Sequence, residues 1–285
     1  MPGIYADVLE IIPQNEIDNF YNIIARESPT STVTLEYIKT SIKWNKNDPT
    51  YEATFYRYKE NIESGIFVSI IRPGYLTTGL YIYACEGYEE DFEHVLLNTK
   101  KIPWNETLII SGVLPRHTEL VEKVIRSKNY IPKVYVNTTL QYLDVEMALN
   151  YKITYPPDVY TKKLTHDDID FIYDQWPHKD MYTKDAIRYA IDSLSFGVFS
   201  KKSDELLAWV MQTHYGAIGM LYTIESARGN GYAKLLVKIM SKELAKLMIH
   251  PYALIMESNT KSLSLFHSVG FRQITRMKYI IVSKE

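Results

Sequence analysis

A short glycine-containing turn, Arg228-Gly229-Asn230-Gly231, is the stretch of the chain whose residue types best suit ligand chemistry. It follows an apolar run, Met220 to Ile224, which predicts a buried strand. It precedes a segment whose apolar residues recur at a helical period, namely Tyr232, Leu235, Leu236, Ile239, Met240, Leu244 and Leu247. A strand, a glycine turn and a helix N-terminus in this order predict an anion site, because unpaired N–H groups and the positive end of the helix dipole face the ligand.

The residues that flank the glycines decide between the common phosphate-binding loops. A Walker loop would place lysine after Gly231, where the chain has Tyr232. A dinucleotide fingerprint would place a third glycine where the chain has Lys234. The spacing Arg-x-x-Gly-x-Ala, from Arg228 to Ala233, fits a third kind of loop. It resembles the pyrophosphate loop of the GNAT superfamily, the acyl-CoA-dependent N-acyltransferases.

The elements predicted around the turn extend this resemblance from Asp158 to Lys284. Thr165, with Asp168 three residues later, and Thr183 are predicted to cap two helices. Apolar runs then predict strands on either side of the turn, with a hairpin around Gly216. The resulting order β-α-α-β-β-β-α-β-α-β-β matches the full GNAT fold.

A second family motif lies further along the chain. It consists of Asn259, predicted to cap a helix, followed at the family's spacing by Ser262, Phe266 and Gly270-Phe271. Two strands, Phe271 to Ile274 and Lys278 to Val282, are predicted to close the domain. The stretch Gly216 to Tyr222 resembles the glycine N-acyltransferase-like branch of the superfamily.

The fold class predicted is α/β (α+β), with the GNAT fold in the C-terminal half, where helices flank a mixed central sheet. Pro156-Pro157 separates an N-terminal α+β domain, residues 1–150, from an acyl-CoA-binding catalytic domain, residues 158–285. In the first domain, Leu108 to Tyr130 again predicts strand, turn and helix. Its turn, Leu114 to Thr118, lacks glycine, so no cofactor is predicted there. Two interpretations stay open for this domain: a degenerate copy of the acyltransferase fold, or an ordinary α+β unit.

The remainder of the N-terminal half is less regular. Residues 4–28 predict a helix broken at Pro13. The runs Ile66 to Ile71 and Leu80 to Ala84 predict a hairpin whose loop contains Pro73-Gly74. Glu89 to Asn98 predicts a helix.

The resemblance assigns cofactor contacts to particular residues. The backbone of Leu221, Tyr222 and Thr223 would pair with the pantetheine arm like an added strand and offer N–H groups to an oxyanion. The other implied cofactor-binding residues are Arg228, Gly229, Asn230, Gly231, Tyr232, Ala233, Asn259 and Phe266. For Arg228 two roles stay open, contact with the phosphates or closure of the turn.

The proton chemistry departs from the family's pattern. The tyrosine that would protonate the departing thiolate aligns with Phe266, which has no proton to donate. The candidate catalytic residues are Glu225 at the mouth of the loop, Glu257 after the next strand, and His267 beside Phe266. Each also has a structural interpretation. Glu225 would be a turn carboxylate paired with Arg228, Glu257 a strand-end carboxylate, and His267 a surface histidine. His214 is a further candidate base, or a hairpin residue.

Composition excludes several classes of protein. The 285 residues carry a formal net charge of −2, which argues against a general nucleic-acid binder. Cys85 is the only cysteine, so no intrachain disulfide and no cysteine metal cluster is predicted, and no metal site is expected. The N-terminus lacks a signal-peptide pattern and no segment approaches membrane-span length. A cytoplasmic protein without a membrane or nucleic-acid partner is predicted; the resemblance also admits the mitochondrial matrix.

The predicted function is transfer of an acyl group from acetyl-CoA or another acyl-CoA to the amine of a small molecule, such as glycine or another amino acid. Two alternatives stay open. One is an acyl-CoA-binding protein with little catalysis, motivated by Phe266. The other is a protein N-acetyltransferase.

Overall fold

The computed structural model describes residues 6–48, 50–72, 77–177, 179 and 183–283. The chain forms two compact units, Met1–Thr138 with Arg276–Glu285, and Thr139–Thr275. These bounds differ from the sequence-based domains 1–150 and 158–285. They differ because two long strands, Ile131–Tyr142 and Arg272–Ser283, each contribute residues to both units.

The first unit contains one mixed sheet and its helices. In chain order its elements are β1 (Leu9–Ile11), α1 (Ile17–Ala25), α2 (Thr32–Asn47), β2 (Glu52–Tyr58), β3 (Phe67–Arg72), β4 (Thr78–Tyr83), α3 (Glu89–Asn98), β5 (Leu108–Val113), α4 (Thr118–Ser127) and β6 (Ile131–Tyr142). Strands β1 to β5 are neighbours in numerical order, all antiparallel except the parallel pair β4–β5.

The N-terminal predictions have mixed outcomes. The predicted helix is wrong in its first part, where Leu9–Ile11 forms β1 opposite β2. A run this short does not distinguish helix from strand, and pairing with β2 buries Leu9 while Ile11 stays exposed. The hairpin β3–β4 and the helix α3 are confirmed. Residues 4–5 and the Pro73-Gly74 turn lie outside the described residues.

The second unit begins with α5 (Val145–Leu149), which was not predicted, and continues with the predicted GNAT elements. These are β7 (Val159–Lys162), α6 (Ile169–Gln175), α7 (Lys184–Ser193), β8 (Ser195–Ser200), β9 (Leu206–Gln212), β10 (Ile218–Thr223), α8 (Tyr232–Lys246), β11 (Tyr252–Met256), α9 (Thr260–His267) and β12 (Arg272–Ser283), whose residues from Arg276 onward belong to the first unit. An antiparallel sheet has the order β10-β9-β8-β7, so β10 is an edge strand, while β11 lies beside the end of β6. The last two predicted strands are one, β12.

Local capping interactions fix where the helices of the second unit begin. Thr165 and Asp168 form a capping box before α6. The Thr183 hydroxyl accepts a hydrogen bond from the Ala186 N–H at 3.2 Å, and Asn259 Oδ1 accepts one from the Ser262 N–H at 3.1 Å. These predicted caps are confirmed. Each cap satisfies an otherwise unpaired N–H group and so sets the residue at which its helix begins.

The four-stranded sheet has a hydrophobic core on each face. On one face α8 contributes buried residues such as Leu236 and Met240. On the other face Trp209 and Met220 pack with Ile187 of α7. Strand β10 therefore lies between the two cores, because its residues contribute to both.

The two units share the same order of elements, β-α-α-β-β-β-α-β-α-β, when 3₁₀ turns and α5 are set aside. By this order the counterpart of β10-turn-α8 is β4-turn-α3. The segment Leu108 to Tyr130, which the sequence suggested for that position, corresponds instead to β11 and α9. The first unit contains two strand–turn–helix segments, β4-turn-α3 and β5-turn-α4, and the sequence pattern alone does not tell which of them corresponds to β10-turn-α8.

Within the described ranges, the helices are too short or too polar to cross a bilayer. Over the same residues, no set of three or more His, Cys, Asp or Glu side chains is placed to hold a metal ion.

Candidate functional site

The turn between β10 and α8 is open on its outer side. Gly229 and Gly231 have φ values of +85° and +77°. A Cβ atom built on either glycine would have no heavy atom within 4 Å apart from its chain neighbours. Helix α8 begins at Tyr232 with no side chain capping its first turn. Its first N–H groups and the positive end of its dipole are thus available to an anion.

Side chains of the turn hold its shape. Asn230 Nδ2 donates a hydrogen bond to the Ala227 carbonyl at 3.1 Å, and Arg228 Nε donates one to the Thr223 carbonyl at 3.3 Å. The Arg228 guanidinium also lies 5.7 Å from the centre of the Tyr222 ring and 4.0 Å from Glu225. Arg228 therefore closes the turn while remaining 56% exposed.

A groove of about 440 Å³, open to solvent, extends from this turn. Its lining comes from the end of β10, the turn, the start of α8 and one face of α9: Leu221, Tyr222, Thr223, Ala227, Arg228, Gly229, Gly231, Tyr232, Ala233, Lys234, Lys261, Ser262 and Leu265. Three of these residues, Arg228, Lys234 and Lys261, carry positive charge. Among the lining residues of the described chain, none carries a carboxylate or an imidazole. This charge distribution suits an anionic ligand.

Strand β10 has a bulge beside the groove. Gly219 lies opposite Met211 and Tyr222 opposite Trp209, so that Met220 and Leu221 together face one residue of β9. Met220 has a φ of +48°, which is strained for a residue with a side chain. Because a bulge leaves a residue outside the hydrogen-bond ladder, it provides backbone groups that a ligand can use.

The groove contains most of the cofactor-binding residues predicted from the sequence. These are Leu221, Tyr222, Thr223, Arg228, Gly229, Gly231, Tyr232 and Ala233. The side chains of Asn230 and Asn259 instead make the hydrogen bonds that fix the turn and the start of α9.

Phe266 lies in the core, away from the groove lining. It is 3% exposed and its ring centre is 4.9 Å from that of Phe271. The groove face of α9 consists of Lys261, Ser262 and Leu265. Lys261 and Leu265 line the groove but were not predicted from the sequence as binding residues. The Asn259 cap was the available signal, because it fixes which residues of the next turns share a face.

The three predicted catalytic residues lie outside the groove lining. Glu225 has a 92% exposed side chain in the turn after β10. Glu257 follows β11 and is partly buried. His267 Nε2 lies 3.0 Å from Gln141 Oε1, and helical geometry places His267 about 200° around α9 from Leu265. Their catalytic roles stay predictions.

His214 is enclosed within the second unit. It is 5% exposed, and burial lowers its pKa to about 3, so the folded protein holds a neutral imidazole. In an unfolded chain a histidine has a pKa of about 6.5. Since the folded pKa lies below the unfolded one, the stability that His214 contributes is present above about pH 6.5 and is lost as the pH falls towards 3.

We expect His214→Gln to make unfolding less sensitive to acid. Between about pH 6 and 4, His214 should contribute a loss of up to about 1.4 kcal/mol in unfolding free energy per pH unit. Urea unfolding at several pH values measures this slope, and the exposed His94→Gln provides the control. Equal slopes in the wild type and in both variants would contradict the burial argument.

Comparisons with known proteins agree with this architecture. Residues 195–280 match a protein-family model described as FR47-like protein. A solved Drosophila protein superposes with a TM-score of 0.88 at 20% identity, covering 98% of this chain and 99% of its own. Among the curated proteins, none matches the sequence.

Two further structures carry descriptive names. A GCN5-related N-acetyltransferase from Sphaerobacter thermophilus has a TM-score of 0.59 at 12% identity, with 96% of this chain and 94% of that chain covered. A tandem GNAT protein from the clavulanic acid biosynthesis pathway has a TM-score of 0.58 at 12% identity, covering 96% and 98%. The chain has the GNAT acetyltransferase fold, a mixed sheet flanked by helices.

Proposed function

We propose that the protein is an acyl-CoA-dependent N-acyltransferase that acts on the amine of a small molecule. The observation that carries the proposal is the continuity of an open glycine turn, a cationic groove and a bulged edge strand within one GNAT-fold unit. Acetyl-CoA or another acyl-CoA would be the co-substrate. Glycine or another amino acid is the proposed acceptor, on the resemblance of Gly216 to Tyr222 to the glycine N-acyltransferase-like branch.

The proposed binding mode follows the length of the groove. The pyrophosphate would accept hydrogen bonds from the N–H groups between Gly229 and Ala233, at the positive end of α8. Arg228, Lys234 and Lys261 would offset its negative charge. The pantetheine arm would run beside the exposed edge of β10 and pair with its backbone from Leu221 to Thr223.

The bulge of β10 would offer backbone groups to the reacting carbonyl. The acceptor amine attacks the thioester carbon, and negative charge develops on the carbonyl oxygen. Backbone N–H groups at Met220–Leu221 would stabilise that charge. Since the described lining offers no carboxylate or imidazole, we propose that water carries the amine proton to solvent. Glu225 and Glu257 are candidates for the far end of that relay.

We also propose that the first unit is a degenerate copy of the same fold. The shared element order and the likeness to a tandem GNAT protein support this. Its counterpart of the cofactor site differs in two ways. The first turn of α3 carries Glu89, Glu90 and Asp91, and β4 pairs with β5 from Thr78 to Tyr81. Acidic residues and a closed strand pair disfavour acyl-CoA binding there.

A second candidate function is acyl-CoA binding without turnover. It is favoured by one observation: Phe266 lies in the core, so α9 gives the groove no phenol. A protein N-acetyltransferase would use the same groove with a peptide amine as acceptor.

Release of free thiol distinguishes these functions. Wild-type protein is incubated with acetyl-, propionyl- or benzoyl-CoA and a panel of amino acids, arylalkylamines and peptides. We expect amine-dependent thiol release with amino acids. Turnover of peptides alone would favour protein acetylation. Saturable CoA binding with no turnover would favour a binding protein, and absence of both would contradict the site.

A further inference from the structure

The leaving thiolate of the proposed reaction needs a proton donor, and α9 does not supply a phenol. Its groove face presents Lys261, Ser262 and Leu265, whereas Phe266 packs against Phe271 in the core. Among the described lining residues, the phenols are those of Tyr222 and Tyr232. Tyr222 belongs to the edge strand β10, and Tyr232 is the first residue of α8.

Tyr222 lies at the bulge. It follows Met220–Leu221 directly, and its ring is fixed from behind by Trp209, 4.9 Å away between ring centres, and by Trp176 at 6.2 Å. The Arg228 guanidinium lies against the same ring. Over the described part of the chain, no protein group hydrogen-bonds the Tyr222 hydroxyl. The ring is therefore held while its hydroxyl remains free to donate.

Tyr232 belongs to the proposed phosphate site. It is the first residue of α8, next to Gly231, and its ring packs on the core beneath that helix. A ligand whose pyrophosphate lies at this helix N-terminus would extend its thioester towards the bulge. The proposed binding mode therefore leaves Tyr222 as the phenol beside the thioester.

We infer that the Tyr222 hydroxyl protonates the departing thiolate, replacing a donor on α9; this inference rests on the proposed acyl transfer. After the amine has attacked and lost its proton to water, the tetrahedral intermediate collapses. The carbon–sulfur bond breaks, its electron pair goes to sulfur, and the carbonyl re-forms. Tyr222 Oη gives its proton to sulfur, and the resulting phenolate regains a proton from solvent, to which the amine proton was passed.

The test compares Tyr222→Phe with Tyr155→Phe in the whole chain; Tyr155 is 51% exposed and lies outside the groove lining. Loss of a general acid costs about 10²- to 10⁴-fold in rate. We therefore expect kcat of Tyr222→Phe to fall by that factor, with unchanged affinity for CoA. Tyr155→Phe should keep the wild-type kcat and the wild-type affinity for CoA. Unchanged CoA affinity also shows that each variant is folded.

Rescue by another proton donor separates a catalytic from a structural role of Tyr222. Tyr222→His should regain part of the activity that Tyr222→Phe loses, because a histidine side chain can also donate a proton. If the wild type turns over while Tyr222→Phe keeps its rate, the inference is overturned and the proposed function stands. A wild type that releases no thiol would overturn both.

Discussion

Gly231→Glu is expected to weaken acyl-CoA binding by at least about 100-fold, or about 2.7 kcal/mol. The new side chain would enter open space at the start of α8, where a Cβ has no heavy-atom neighbour within 4 Å. Its carboxylate would sit at the proposed pyrophosphate position and repel it. Isothermal titration of wild type and variant with acetyl-CoA and with CoA measures the change.

The first unit offers a control for this substitution. Gly87 precedes α3, has a φ of +87°, and a Cβ built on it likewise meets no heavy atom within 4 Å. Gly87→Glu therefore introduces the same charge and a similar backbone strain of about 1 kcal/mol. It should leave acyl-CoA affinity unchanged. Equal binding by Gly231→Glu and Gly87→Glu would show that the pyrophosphate lies elsewhere.

The parts of the site that the sequence predicted depend on local chemistry. The positive φ of Gly231, the cap made by Asn259 and the strand before the turn follow from interactions a few residues apart. Hydrophobic periodicity also predicted the elements on either side of the glycine turn, β10 and α8, because apolar side chains recur at the period of a strand or a helix. Local patterns of this kind are visible without knowledge of tertiary contacts.

The parts that the sequence did not predict depend on distant contacts. Met220 carries a positive φ that its residue type does not suggest; its side chain, 7% exposed, is held in the core on the α7 side. Phe266 aligns with a family position in sequence but is turned into the core against Phe271. The short strand β1 depends on pairing with β2, about fifty residues away. None of these follows from periodicity alone.

In the first unit, the turn that matches the glycine turn in element order is hydrogen-bonded to a carboxylate of the chain itself. Glu27 accepts hydrogen bonds from the Tyr83 hydroxyl, the Glu86 N–H and Arg116, whose Nη2 lies 2.6 Å from Glu27 Oε2. Glu86 belongs to the turn between β4 and α3. A carboxylate of the protein thus satisfies an N–H of the turn that corresponds to the glycine turn of the second unit. We expect this network to stabilise the first unit.

Glu27→Ala is expected to lower the unfolding free energy by about 2–4 kcal/mol at pH 7, because it leaves Arg116 and Tyr83 without their carboxylate in a partly buried site. The Glu27 and Arg116 side chains are 19% and 24% exposed. Glu63→Ala is the control. Glu63 pairs with Arg26, and the two side chains are 59% and 64% exposed. An exposed ion pair contributes about 0–1 kcal/mol, so this variant should lose little stability. Urea unfolding of both variants measures the difference.

The Glu27 effect should also depend on pH. Burial alone would raise the pKa of Glu27, but the hydrogen bonds from Tyr83, the Glu86 N–H and Arg116 outweigh it and lower the pKa. Because the folded pKa lies below the unfolded one, the stabilisation is present above the ordinary glutamate pKa of about 4.3 and is lost as the pH falls through the folded value. The gap between wild type and Glu27→Ala should therefore narrow below about pH 4. If the difference in unfolding free energy between wild type and Glu27→Ala stays constant below about pH 4, the effect of the substitution comes from packing, and a charged network around Glu27 is contradicted.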